Sequence, residues 1–234
     1  MHSKRRCAIA AATAALALGS AAVQAVPVSF TQLTGVTGGT LAATGVYKAD
    51  LSSIGLASIL SVTIGDSNSG TGGAGGQFSG FDLDSIKLST TDCATAACAQ
   101  GLAGLSVFDF GVGTIFNPGT QRPPADPKLF GTDAGGSAVD DAVATLAALD
   151  GEATTAIPGA FGFISLGDGG RISFNLTAAV STAGLFLYIG EVGDNGEVAA
   201  GDIQVRDTKV PLPGTLSLAA LGLVALASRQ RRKA

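Results

Sequence analysis

The chain of 234 residues predicts an all-β fold. The expected architecture is a β-sandwich or jelly-roll-like domain with at most one short helix, flanked by an N-terminal signal peptide and a C-terminal transmembrane helix. Three observations lead there. Between Val26 and Lys209, short apolar segments alternate with turns rich in Gly, Ser and Asp, and 34 glycines beside only 14% charged residues leave little material for long amphipathic helices. That body, about 180 residues, suits one domain with a single core. The two ends each place cations beside an apolar run, the layout of segments handled by a membrane rather than packed in a core.

At the N-terminus, Lys4, Arg5 and Arg6 precede the Ala/Leu-rich run from Ala8 to Leu18, and small residues follow to Val23-Gln24-Ala25. Residues 1–25 therefore read as a secretory signal peptide cleaved after Ala25, with the Sec translocon and signal peptidase as its partners. The domain at residues 26–209 starts with an alternating strand from Val28 to Leu33 and a second from Leu41 to Leu51. Ile59 to Ile64 is a third. It stops at Asp66 and Asn68, which open a loop through Gly76 in which Gly and Asn tolerate positive φ and nothing is expected to pack. Phe78 to Ser89 and Leu105 to Phe116 read as further strands, and Asn117 to Pro127, with four of the eight prolines, reads as a loop.

Ser137 to Leu149 is the one helix expected in the body. Ser137 and Asp140 suit its start, Val139, Val143 and Leu146 share a face, and Gly151 suits the C-cap; a strand from Ala144 to Leu149 is the rival reading. Beyond it, Phe161 to Leu166, the tight turn Gly167-Asp168-Gly169-Gly170 and Arg171 to Leu176 read as a strand that turns and returns. The nearly continuous apolar run Gly184 to Val192 reads as a buried central strand, and Asp202 to Lys209 as the last.

Residues 210–234 begin with Val210-Pro211-Leu212-Pro213-Gly214-Thr215, continue through an apolar run from Leu216 to Ala227, and end in Arg229, Arg231, Arg232 and Lys233. From Gly214 to Ser228 a helix would be about 22 Å long against a hydrocarbon core of about 30 Å. Thinning and snorkelling of the cations cover that difference for a temporary stop-transfer segment in the inner membrane. This order of motif, short apolar helix and basic tail resembles the PEP-CTERM sorting signal of Gram-negative bacteria. The usual motif is Val-Pro-Glu-Pro, and here Leu212 stands in place of the Glu. The resemblance implies processing near the motif by the membrane protease exosortase, and a final place at the cell surface or in an extracellular matrix. Ser79-Gly80-Phe81-Asp82-Leu83-Asp84 is similar to a segment that recurs in such proteins. Ser165-Leu166-Gly167-Asp168-Gly169-Gly170-Arg171-Ile172-Ser173-Phe174, followed by a strand ending in Glu191, resembles a pattern of bacterial surface β-sandwiches.

Charge agrees with this partition. Three of the 14 Lys+Arg lie in the signal peptide and four in the tail, so the body keeps seven against all 18 Asp+Glu, a net charge of −11. Such a surface repels nucleic acid. The single histidine is His2, inside the signal peptide, so the mature chain cannot build Ser/His/Asp or Cys/His catalytic sites or histidine-ligated zinc. With no Trp and two Tyr, a stacking cleft for sugars is also hard to build. The domain is therefore not expected to be an enzyme. Cys7 leaves with the signal, and Cys93 and Cys98 remain as an even pair in an oxidising compartment, where a disulfide is expected.

One chemical site is expected. Asp82 and Asp84 share parity with Ile86 and Leu88, so a regular strand would carry the carboxylates towards a buried edge unless a bulge intervenes. A calcium ion would supply the missing counter-charge, with Asp66, Asn68, Asp82 and Asp84 as candidate ligands; Asp194 and Asn195 lie in another turn near Glu191. The alternative is that all are ordinary turn residues. Three functions follow: a non-enzymatic protein of the cell surface or exopolysaccharide matrix, a calcium-dependent carbohydrate-binding module, or a secreted hydrolase working through carboxylates.

Overall fold

The computed structural model describes residues 25–39, 42–70, 74–151, 162–193 and 202–212. The expected signal peptide before Ala25, Asp194 and Asn195, and the sorting segment from Pro213 onward lie outside them. Among the described residues no helix is long and apolar enough to cross a membrane.

Ten strands form two five-stranded sheets. They are β1 (Ala25–Pro27), β2 (Thr31–Gly38), β3 (Ala43–Asp50), β4 (Ser58–Gly65), β5 (Asp82–Ser89), β6 (Thr114–Asn117), β7 (Ile164–Ser165), β8 (Arg171–Ser181), β9 (Phe186–Val192) and β10 (Asp202–Arg206). The first sheet runs β1-β10-β4-β8-β6 and the second β2-β3-β9-β5-β7, every neighbour antiparallel. With β2 and β6 set aside as additions at two edges, eight strands remain. In chain order they lie first-eighth-third-sixth in one sheet and second-seventh-fourth-fifth in the other. That order is a jelly roll, two Greek keys closed into a sandwich.

The core follows from period-2 alternation. Val62, Ile64, Ile172, Phe174, Leu176 and Val205 of the first sheet face Leu83, Ile86, Leu88, Leu187 and Ile189 of the second. The outer face of the second sheet is covered as well. Val46 and Tyr188 pack there against Cys93, Ala96, Ala99 and Leu149. This second layer is why every residue of β5 is buried.

Five expectations need correction. The strand expected over Val28 to Leu33 straddles a break: β1 ends at Pro27 and β2 begins at Thr31, so the chain changes sheets there. In the expected strand Leu105 to Phe116, the continuous ladder is limited to β6 (Thr114–Asn117), with a single antiparallel bridge from Phe108 to Leu176 before it; Phe108 and Phe110 pack edge-on against Phe174. The apolar pattern was sound, but it marks loop residues that cap the core edge. No helix forms over Ser137 to Leu149, nor a strand. Asp133 accepts from the Ser137 and Ala138 amides, Asp140 donates to Gly131 and Leu146 accepts from Ile86, so much of the segment's hydrogen bonding goes to neighbouring segments. Gly151 serves close approach instead of capping: a Cβ there would sit 2.6 Å from Val192 and 2.7 Å from Asp84. The one α-helix among the described residues is α1 (Ala96–Gly101), N-capped by Thr95 and placed where the sequence pointed only to a disulfide loop. Finally, the strands on either side of Gly167–Gly170 are not a hairpin, because β7 belongs to the second sheet and β8 to the first.

Candidate functional site

The two segments that resembled surface-protein motifs meet in space. Leu83 pairs with Ile164 and Asp82 with Ser165, and the ladder continues beyond the strands as Leu166 N–H donates to Phe81 and Gly167 N–H to Ser79. The Ser165 hydroxyl donates to Asp82. Ser79, fully buried, donates to the Gly76 carbonyl at 2.7 Å and accepts from the Arg122 amide at 2.8 Å. The Arg122 guanidinium lies 3.2 Å from Asp168 in a partly buried ion pair. Backbones cross here too closely for side chains. Gly80 has φ +75°, and a Cβ on it would stand 2.4 Å from the Gly167 backbone.

Asp66 ties a third segment to this corner. One carboxylate oxygen accepts from the amides of Asn68, at 2.7 Å, and Gly169, at 2.8 Å; the other accepts from Phe81 at 3.1 Å. Its own amide donates to Gly170. The start of the Gly-rich loop is therefore packed, contrary to the expectation that nothing there would be. Asn68 takes the left-handed conformation at φ +54° as part of the Asx turn on Asp66.

Asp84 stands apart from Asp66. The pairing of β5 with β9 shifts between Leu83 and Ser85, opposite Glu191 and Gly190, so Asp84 is the extra residue of a β-bulge. The bulge resolves the parity conflict in the sequence: Phe81 and Leu83 face the core before it, Ile86 and Leu88 after it. Asp84 itself turns to the outer face, against Gly190 and under Gly151. It is fully buried, and burial pushes its carboxyl up to about 7, with the negative Asp150 adding to the rise. The Thr44 hydroxyl and the amides of Gly151 and Asp150 pull the other way, yet none closes a hydrogen bond of ordinary geometry with it. Lys87 shares this face. Its ammonium donates to the carbonyls of Ala99, Gln100 and Leu102 at 2.9–3.3 Å, capping the end of α1, and burial lowers its pKa.

The structure thus joins Asp66 with Asn68 and Asp82 with Ser165, and leaves Asp84 in its own pocket. Among the described residues, no three His, Cys, Asp or Glu side chains are grouped to share one metal ion. Cys93 and Cys98 form a disulfide with Cα atoms 5.6 Å apart, around the start of α1. The loop before it is pinned by Tyr188, whose hydroxyl accepts from the Cys93 amide at 2.8 Å and donates to Thr91 at 2.6 Å. Sequence reasoning missed Tyr188, Lys87 and Ser79; a buried hydroxyl or amine bonded to distant backbone leaves no periodic signal.

After β10 the chain crosses the outer face of the first sheet. Ser61 donates to the Thr208 carbonyl at 2.7 Å, and Asn175 holds both backbone groups of Val210. Val210 is half-buried, while Pro211 and Leu212 are exposed. Pro213, Gly214 and Thr215, the rest of the expected motif, lie outside the described residues.

Residues 209–233 match the family model of the PEP-CTERM protein-sorting motif. The chain carries the signal of an exported protein processed by exosortase, bound for the cell surface or the extracellular space. No curated protein and no solved structure matches the chain.

Proposed function

We propose that this is a non-enzymatic protein of the cell surface, a jelly-roll domain delivered through the Sec translocon, trimmed by signal peptidase and exosortase, and held in the exopolysaccharide matrix. The observation that carries the reading is the join between fold and signal. The sorting match starts at residue 209, three residues past the end of β10, so the sandwich is itself the cargo. Composition supports the non-catalytic part: the body has net charge −11 and no histidine. The reading uses no cofactor.

Mass spectrometry of the protein recovered from the matrix of its native host tests it. The expected chain begins at Val26 and ends near Pro211–Thr215. Cleavage after Ala25 leaves Val26 paired with Val205, so β1 survives it. An extracellular chain that retains Lys233-Ala234 would contradict exosortase processing. Recovery only from the periplasm would contradict the matrix location.

A further inference from the structure

We propose that Asn175 is a positioning residue for the processing of this chain: its side-chain amide docks Val210 on the sandwich and keeps the chain up to Val210 out of the segment offered to the membrane protease. The inference rests on reading residues 209–233 as a sorting signal.

Asn175 lies on β8, where Ile172, Phe174 and Leu176 take the core face and leave Asn175 to the outer one. Its Oδ1 accepts from the Val210 amide at 2.7 Å, and its Nδ2 donates to the Val210 carbonyl at 2.9 Å. This two-point fork copies a rung of a β-ladder with a side chain, so it fixes both the position and the direction of the backbone it holds. Ser61 is the β4 partner of Asn175 in register, and its hydroxyl holds Thr208 one step earlier. The chain leaving Arg206 is therefore strapped across β4 and then β8. Although both side chains point outward, Ser61 is 0% and Asn175 7% exposed. Pro211 comes next and has no N–H, so the ladder-like pairing held at Val210 is not repeated at Pro211.

The anchor sets a distance. Only Pro211 to Thr215 separate docked Val210 from the apolar run starting at Leu216, at most about 22 Å of extended chain. Before processing, the sandwich is held close to the membrane. The turn from Asp109 to Gly113 shares a groove with Leu212 and carries Val112 at 78% exposure. A protease working from the membrane acts beyond Val210, which stays with the fold. The mature C-terminus falls at Pro211 or beyond, and the strap remains part of the mature domain.

The test compares wild type, Asn175→Ala and Ser61→Ala as full chains. One arm co-produces each with an exosortase in a Gram-negative host and measures the mature C-terminus by mass. The other digests each purified full chain in detergent with trypsin and follows the cut at Lys209–Val210. Wild type is expected to end uniformly at Pro211 or beyond. Asn175→Ala is expected to show additional ends between Asp207 and Val210, and to be cut at Lys209 about tenfold faster, the order expected when two hydrogen bonds hold an otherwise exposed strap. Ser61→Ala removes one bond of the same strap and leaves Asn175 in place; it is expected to move the same way by less, which guards against a misfolded Asn175→Ala. Equal trypsin rates and identical termini in all three would overturn the proposal. A wild-type extracellular chain with Lys233-Ala234 intact would overturn the sorting reading instead, with the trypsin arm still deciding whether the strap is clamped.

Discussion

The Asp84 carboxyl makes the stability of this domain fall as pH rises through neutrality. In the folded chain it holds its proton up to about pH 7, against 3.8 in the unfolded chain, because burial under Gly151 penalises the charge. The folded state therefore binds more protons than the unfolded state between these values, and the stabilisation is complete below about pH 4 and gone above about pH 7. From the two values, linkage gives about 2–3 kcal/mol at pH 5 that has vanished by pH 8. At about 2–4 °C per kcal/mol for a domain of this size, Tm is expected to be about 5–10 °C higher at pH 5 than at pH 8. Asp141, also raised by burial, acts in the same sense. Asp50 and Asp133, lowered by hydrogen bonds, act only below about pH 4 and in the opposite sense.

The decisive comparison is Asp84→Asn, which keeps the shape and removes the titration. Urea unfolding of both proteins at pH 5, 6.5 and 8 gives the slopes. Wild type should lose stability across the series and Asp84→Asn should lose about 2 kcal/mol less, so the variant gains on wild type as the pH rises. Equal slopes in the two proteins would refute the reasoning, as would a wild type more stable at pH 8 than at pH 5.

Two further outcomes are expected at the corner where the motif segments meet. Gly80→Ala places a Cβ 2.4 Å from the Gly167 backbone at φ +75°, and should destabilise the domain by more than about 3 kcal/mol in urea unfolding; a loss under about 1 kcal/mol would mean that this approach is not tight. Asp66→Ala leaves three amides without their acceptor and should cost about 2–4 kcal/mol whether EDTA or millimolar Ca²⁺ is present. A wild-type Tm that rises by several degrees on adding Ca²⁺, with the rise lost in Asp66→Ala, would instead assign a calcium ion to Asp66.

What the sequence disclosed depended on how far the determining contacts lie along the chain. β4, β9 and β10 were legible because alternation or an unbroken apolar run is a local property. Even the bulge at Asp84 was foreshadowed, since two carboxylates could not share parity with Ile86 and Leu88 on one regular face of a core strand. The turns from Leu105 to Gly113 and from Ser137 to Leu149 were misread for the converse reason. Phe108, Phe110, Leu146 and Leu149 are apolar at spacings that suit strands or helices, but they plug the sandwich from loops whose backbones bond to distant partners. Whether β7 and β8 formed a hairpin or crossed between sheets could not be read from Gly167–Gly170, because a tight turn of glycines permits both.

Distance along the chain also explains why the polar motifs suggested an ion. In sequence order, Asp66, Asn68, Asp82 and Asp84 are a set of oxygen donors with no counter-charge. In the fold, the missing partners of Asp66 are the amides of Phe81 and Gly169, which its carboxylate meets only because β5 and the turn after β7 arrive at the end of β4. Three backbone amides on one carboxylate fix a loop and hold the charge. Asp82 and Ser165 join the same junction from the two sides of the β5–β7 pairing. In Ser79–Asp84 and Ser165–Phe174 this jelly-roll corner has small residues where backbones cross and oxygen acceptors where amides are left over. Among the described residues the tail strap, held by Ser61 and Asn175, is where that architecture is joined to the sorting signal.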